Sequence, residues 1–159
     1  MPKGQTTGLR KYIAIRLGKG SDAAQIRKMF QKSFQARTYR AFWWYWNPTY
    51  GYFLGQYIYR PLCKYLPQKA ALLLTFVACG LFLHDLPVIV LVLILRRVFL
   101  PFPITILFAI LGLINIVSTK YQLTFDKIKP RTRIFLHCLT LIGSIFIAVI
   151  ISKGLRYLL

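Results

Sequence analysis

The chain has no glutamate, and its acids are three aspartates, Asp22, Asp85 and Asp126. Against them stand 22 lysines and arginines, for a formal net charge of +19. Such a balance can serve nucleic acid, but here the cations flank apolar runs. Attraction to anionic lipid headgroups, about 1 kcal/mol per basic residue near the surface, explains them more simply. No nucleic-acid partner is expected. Cysteine is scarce as well: Cys63, Cys79 and Cys138 are scattered and form no Cys-x-x-Cys pair. That argues against a zinc site and against a disulfide framework. No apolar core follows a charged start within residues 1–40, so no secretory signal peptide is expected there. No serine or cysteine sits in a recognisable nucleophile motif, and no glycine-rich phosphate loop occurs.

What is present is hydrophobic. Apolar residues make up 57% of the chain, mean hydropathy is +0.53, and long apolar runs alternate with basic ones. This is the composition of an integral membrane protein. Three runs, 70–95, 98–118 and 134–152, have the roughly 20 residues needed to cross ~30 Å of hydrocarbon. The first contains Thr75, Gly80, His84, Asp85 and Pro87 and is closed by Arg96 and Arg97. Pro87 removes the hydrogen bond its nitrogen would donate to Leu83, which predicts a kink just after His84. The second has Pro101 and Pro103 near its start and Asn115 near its end. In the third, Ser144 and Ala148 offer a small-xxx-small contact face. His137, at its start beside Arg133, reads as an interfacial polar residue.

Charge asymmetry orients the spans. Thirteen lysines and arginines precede residue 70 and five lie between 119 and 133, while Arg96, Arg97, Lys153 and Arg156 form the opposite set. The positive-inside rule places the N-terminus in the cytoplasm and the C-terminus outside, in a bacterial inner membrane or an equivalent one.

Ahead of the spans, residues 1–24 are polar and basic, and Ser21 or Asp22 can cap a following helix. From Ala23 to Tyr39, Ile26, Met29, Phe30, Ser33 and Phe34 recur at helical spacing opposite Arg27, Lys28 and Lys32. This pattern predicts a basic amphipathic helix on a membrane surface, with those three cations on lipid headgroups; a helix docked on a soluble partner is the alternative. Next, ten of the eighteen residues from Phe42 to Tyr59 are aromatic. Pro48 and Gly51 interrupt helix near Asn47, and 52–60 reads as a short interfacial or re-entrant helix. The organisation is therefore 1–40 basic and amphipathic, 41–69 aromatic and interfacial, and 70–159 spanning. The fold class is all-α, integral to the membrane, with about three transmembrane helices.

Two features call for an explanation: the amide of Asn47 inside the aromatic belt, and the ionisable pair His84–Asp85 within an apolar run. Aromatic belts commonly anchor a chain at the interface, and a lone intramembrane histidine can simply bond a neighbouring helix. Ionisable groups in lipid are costly, however, and tend to mark a working site.

These residues carry a resemblance. FWWYWNPTYGYFLGQYIYRPL resembles the FWxxWNxxxxxWLxxYxYxP stretch of the membrane-bound O-acyltransferases. LTFVACGLFLHDL resembles their histidine-bearing apolar helix, and AQIRKMFQKSFQARTYRAFWWYW resembles their basic lead-in; the likeness covers about residues 25–95. It implies that Asn47 and His84 face one intramembrane tunnel as catalytic residues, at a spacing that suits the sterol- and diacylglycerol-acylating branch. Trp43, Trp46, Tyr50, Tyr57 and Asp85 become candidate substrate contacts. The implied reaction moves an acyl group from a thioester, acyl-CoA or acyl carrier protein, to a hydroxyl, with no bound cofactor and no metal. Chemically, a neutral imidazole can take the hydroxyl proton, and an amide can hold the thioester carbonyl or the acceptor. Asp85 points about 100° from His84 on a helix, toward a basic partner such as Arg40 or Arg60 or the cavity mouth. Departures are Phe53-Leu54 for Trp-Leu, Leu83-His84-Asp85 for the Trp-His-Gly of the sugar-acylating branch, and about three spans where the family has eight or more. A non-catalytic small membrane subunit with a basic lipid- or partner-binding surface is the alternative. A further membrane subunit or a homo-oligomer would supply missing walls.

Overall fold

The computed structural model describes residues 8–94 and 101–158, and among them every regular element is helical. Three short helices lead: α1 Leu9–Leu17, α2 Asp22–Phe34 and α3 Tyr39–Tyr45. Helix α4, residues 48–62, joins Pro48–Leu54, a wide π-helical turn Gly55–Tyr59, and Arg60–Leu62. Helix α5, residues 68–94, is built the same way from Gln68–Gly80, a π-helical turn Leu81–Asp85, and Leu86–Ile94. Helices α6 Pro103–Lys120 and α7 Pro130–Leu158 follow.

Three of these are long and apolar enough to cross a membrane: Gln68–Leu91, Pro103–Lys120 and Pro130–Tyr157. The expected three spans are thus present. Arg96, Arg97 and Val98, read as the junction of the first two, lie outside the described residues. Helix α7 has 29 residues, about 43 Å at 1.5 Å per residue, against ~30 Å of hydrocarbon. Its basic ends, Arg131 and Arg133 on one side and Lys153 and Arg156 on the other, therefore reach headgroup level.

Each wide turn has the same local cause. Arg60 N–H donates to Gly55 O, and Leu86 N–H donates to Leu81 O, five residues back instead of four. Both donors immediately precede a proline, Pro61 and Pro87. A proline ring collides with the carbonyl four residues earlier, and one extra residue in the turn carries that carbonyl aside. The bend predicted after His84 is accommodated as a widened turn that contains His84.

Close packing of α5 on α6 is the main contact of the bundle, followed by α6 on α7. At Gly80 an added Cβ would stand 2.6 Å from Thr105 Cα and 2.8 Å from the Ile104 carbonyl oxygen. Only glycine permits that backbone approach. On α7 the predicted small face is one step longer: Ser144, Ala148 and Ser152 are all buried, and Ser152 Oγ donates to Pro101 O at 2.8 Å.

The N-terminal layer departs from expectation twice. Residues 9–17 are helical, and the helix expected over 23–39 stops at Phe34. Its start is as read, since Ser21 Oγ accepts from Ala24 N. The break follows from what the intervening carbonyls meet. Ala36 O takes His137 Nε2 at 3.0 Å, and Gln35 O takes Arg133 NH1 at 3.0 Å. Arg37 O takes Phe125 N at 2.7 Å, and Thr38 Oγ1 then caps α3 through Ala41 N. His137 is consequently buried among Tyr39, Phe42 and Phe125 and is not an interfacial group. Because a carbonyl can only accept, Nε2 carries the proton there. These bonds seat the 121–129 loop on the N-terminal layer, so both large sets of cations share one side of the molecule. The Arg37–Asp126 pair, 3.5 Å and well exposed, adds little to that seam.

Candidate active site

Asn47 joins α3 to α4 with φ 36° and ψ 69°, the left-handed region that asparagine tolerates better than most residues. Its Oδ1 accepts from Tyr50 N at 3.2 Å, and Pro48 occupies the first helical position, where its missing N–H costs nothing. Asn47 thus starts α4. Its amide nitrogen has no partner among the described residues.

One turn into α4, the Tyr50 ring comes within 6.5 Å of the His84 ring. His84, half-buried in the wide turn of α5, stacks on Phe108 of α6 at 5.3 Å and 15°. Its ring nitrogens bond no described residue. Asn47 and His84 line the same cavity, about 820 Å³, within the range of small-molecule sites. Trp43, Tyr50, Phe76 and Phe108 make the lining around His84 aromatic. Lys69 begins α5 roughly 22 Å along the helix from His84, and it also lines the cavity, as do Arg16, Arg40, Asn115 and Lys120. The lining thus has a cationic end near Lys69 and an aromatic end that holds His84.

The other expected contacts divide. Trp43, Trp46 and Tyr50 are in the wall, and Trp43 packs edge-on against Phe76 at 5.0 Å. Tyr57 is not: it is 72% exposed and stacks on Phe53, turned away from the cavity. Asp85 also differs from its reading. Only 2% exposed, it meets neither Arg40 nor Arg60. Its two oxygens accept from Ile104 N at 3.1 Å and Thr105 N at 2.5 Å. The carboxylate thereby caps the N-terminus of α6, where unpaired N–H groups and the helix dipole favour an anion. On α2, Lys28 Nζ donates to Lys19 O and Lys32 Nζ to Arg16 O, tying α2 to the end of α1; Arg27 is exposed.

The model of the MBOAT, membrane-bound O-acyltransferase, family matches residues 13–146. The chain belongs to the membrane-bound O-acyltransferase family. No curated protein and no solved structure gave a match. Membership implies acyl transfer to oxygen within a membrane, with an acyl donor as co-substrate rather than a bound cofactor.

In this family member, sequence reasoning missed Tyr12, Arg16, Lys69, Phe108, Asn115 and Lys120 from the cavity lining. A signal existed for α1: Leu9, Tyr12, Ile13, Arg16 and Leu17 follow the 3-1-3-1 spacing of one helix face, between Gly8 and Gly18. The local and chemical roles of Asn47 can be separated by two substitutions. Asn47→Ala loses the cap and strains the left-handed φ, at about 1–3 kcal/mol. Asn47→Gly loses the same cap bond and the amide but accepts the φ without strain. If the amide serves catalysis, both variants slow turnover alike while thermal unfolding shows Gly more stable than Ala. A rate that follows stability instead would reduce Asn47 to a helix cap.

Proposed function

We propose that the chain transfers an acyl group from a thioester donor to a hydroxyl acceptor, with His84 as general base. The observation that carries this is the shared cavity: it is lined by the imidazole of His84, which bonds no described residue, and by the amide of Asn47. The acceptor O–H gives its proton to His84 as oxygen attacks the thioester carbonyl. The C–S bond breaks, the C–O bond forms, and the proton passes on to the departing sulfur. The Asn47 amide N–H is suited to steady the carbonyl oxygen as charge gathers on it. Tyr50 and Phe108 hold the imidazole in place, and the aromatic end of the cavity suits an acyl chain. Its cationic end suits the anionic carrier, acyl-CoA or acyl carrier protein. The test is release of free thiol from an acyl thioester by the purified chain in nanodiscs, with ester formation followed by mass spectrometry. Thiol release equal to that of protein-free discs would support the reading as a non-catalytic subunit.

The side bearing the N-terminal layer and the 121–129 loop is proposed to be cytoplasmic, because eighteen of the 22 basic residues belong to the sequence segments 1–69 and 119–133 that flank the spans there. On that side α2 lies along the headgroups, with Ile26 and Phe30 exposed beside Arg27. Replacing Arg27, Lys28 and Lys32 together by glutamine should weaken binding to anionic vesicles, most strongly at low salt where screening is least. Binding that stays unchanged at low ionic strength would point to a protein partner for this face.

A further inference from the structure

Arg16 is a buried cation with no counter-ion among the described residues. On α1, only 7% exposed, it lines the cavity. Its guanidinium carbon stands 3.4 Å from the centre of the Tyr12 ring and 3.7 Å from that of Trp44. Both flat faces are therefore covered, and what remains available is the edge that carries the N–H groups. A guanidinium has five such donors. The protein engages one of its nitrogens, NH1, in a long 3.5 Å bond to Tyr12 O. No carboxylate reaches it: Asp85 is engaged by α6, Asp126 pairs with Arg37, and Asp22 forms no ion pair. Burial pushes the guanidinium below its usual pKa, with the Tyr12 hydroxyl group opposing. Aromatic stacking stabilises the cation and positions it, but does not satisfy its edge. Arg40, Lys69 and Lys120 line the same cavity, and no acid does.

We infer that Arg16, clamped between Tyr12 and Trp44, forms a phosphate-binding subsite in the wall of the cavity. A planar fork with free N–H groups matches two oxygens of a phosphoryl group, which a point charge on lysine does not. The phosphate comes either from the phosphopantetheine arm of a thioester carrier or from a phospholipid headgroup. This subsite depends on the cavity and not on acyl transfer, so it is tested apart from turnover.

Trp44 is a built-in reporter. Tryptophan fluorescence of the full chain is titrated with coenzyme A in detergent, and is compared in nanodiscs of phosphatidylcholine with and without phosphatidylglycerol. A saturable change is expected in the wild type and equally in His84→Ala. Arg16→Gln should weaken it about 10- to 100-fold, as for loss of a charge-assisted hydrogen bond, and Arg16→Lys should restore only part. Lys127→Gln, in the 121–129 loop, should leave it unchanged. A response to coenzyme A assigns the subsite to a carrier arm; a response confined to phosphatidylglycerol discs assigns it to a headgroup. Equal affinity in wild type and Arg16→Gln, or no response to either probe, overturns the subsite and leaves Arg16 as a pin for α1. If Arg16→Gln does not fold, Arg16→Lys carries the comparison. An Arg16-dependent response in a protein without thioester turnover keeps the subsite and removes the acyl-transfer reading.

Discussion

His84→Ala should lower acyl transfer by about 10²–10⁴-fold, the range for removing a positioned general base, while the protein still folds. The second half of that expectation is structural. His84 makes no hydrogen bond to a described residue, so alanine there orphans no polar partner. What is lost is ring packing on Phe108 and Tyr50, an aromatic contact worth about 0.5–1.5 kcal/mol beyond burial. A loss of rate with retained unfolding midpoint and tryptophan emission is the predicted combination. Thiol release in purified nanodiscs measures the first, and thermal unfolding in the same discs measures the second. An unchanged rate would remove His84 from the reaction.

Asp85→Ala should do the reverse, and act first on the fold. Its carboxylate serves two backbone N–H groups at the head of α6 beside a glycine contact that leaves no slack. Leaving two such donors unpaired in an apolar setting costs about 2–6 kcal/mol, at 1–3 kcal/mol for each. Asparagine keeps one accepting oxygen and turns its NH₂ toward the other donor, so Asp85→Asn should fall between wild type and alanine. Because Asp85 follows His84 directly and Phe108 lies one turn beyond Thr105, activity should fall in the same order as stability. An Asp85→Ala protein as stable as wild type would show that water replaces the cap.

The division between what was legible and what was not follows the range of the physics. Hydropathy over a span is a sum over neighbours, so three crossings could be read, as could the Ser21 cap, settled within three residues. Asn47 and His84 were singled out by the resemblance of two local motifs; their common cavity depends on how α4 leans on α5. Asp85 was misread because its partners, Ile104 and Thr105, are backbone groups some twenty residues on, invisible to a search for opposite charge. His137 was misread for a like reason: its partner is a carbonyl 101 positions earlier. Arg16 escaped because the basic composition of residues 1–24 masked a short apolar face.

That seam between Ala36 and His137 also sets an order of manufacture. A ribosome adding roughly 5–20 residues per second exposes α2 and α3 some ~5–20 s before the start of α7 is made. Throughout that interval the Ala36 carbonyl waits for its donor, and Ile26 and Phe30 on α2 stay exposed. Insertion of α7 then locks an earlier-made segment to one made about a hundred residues later.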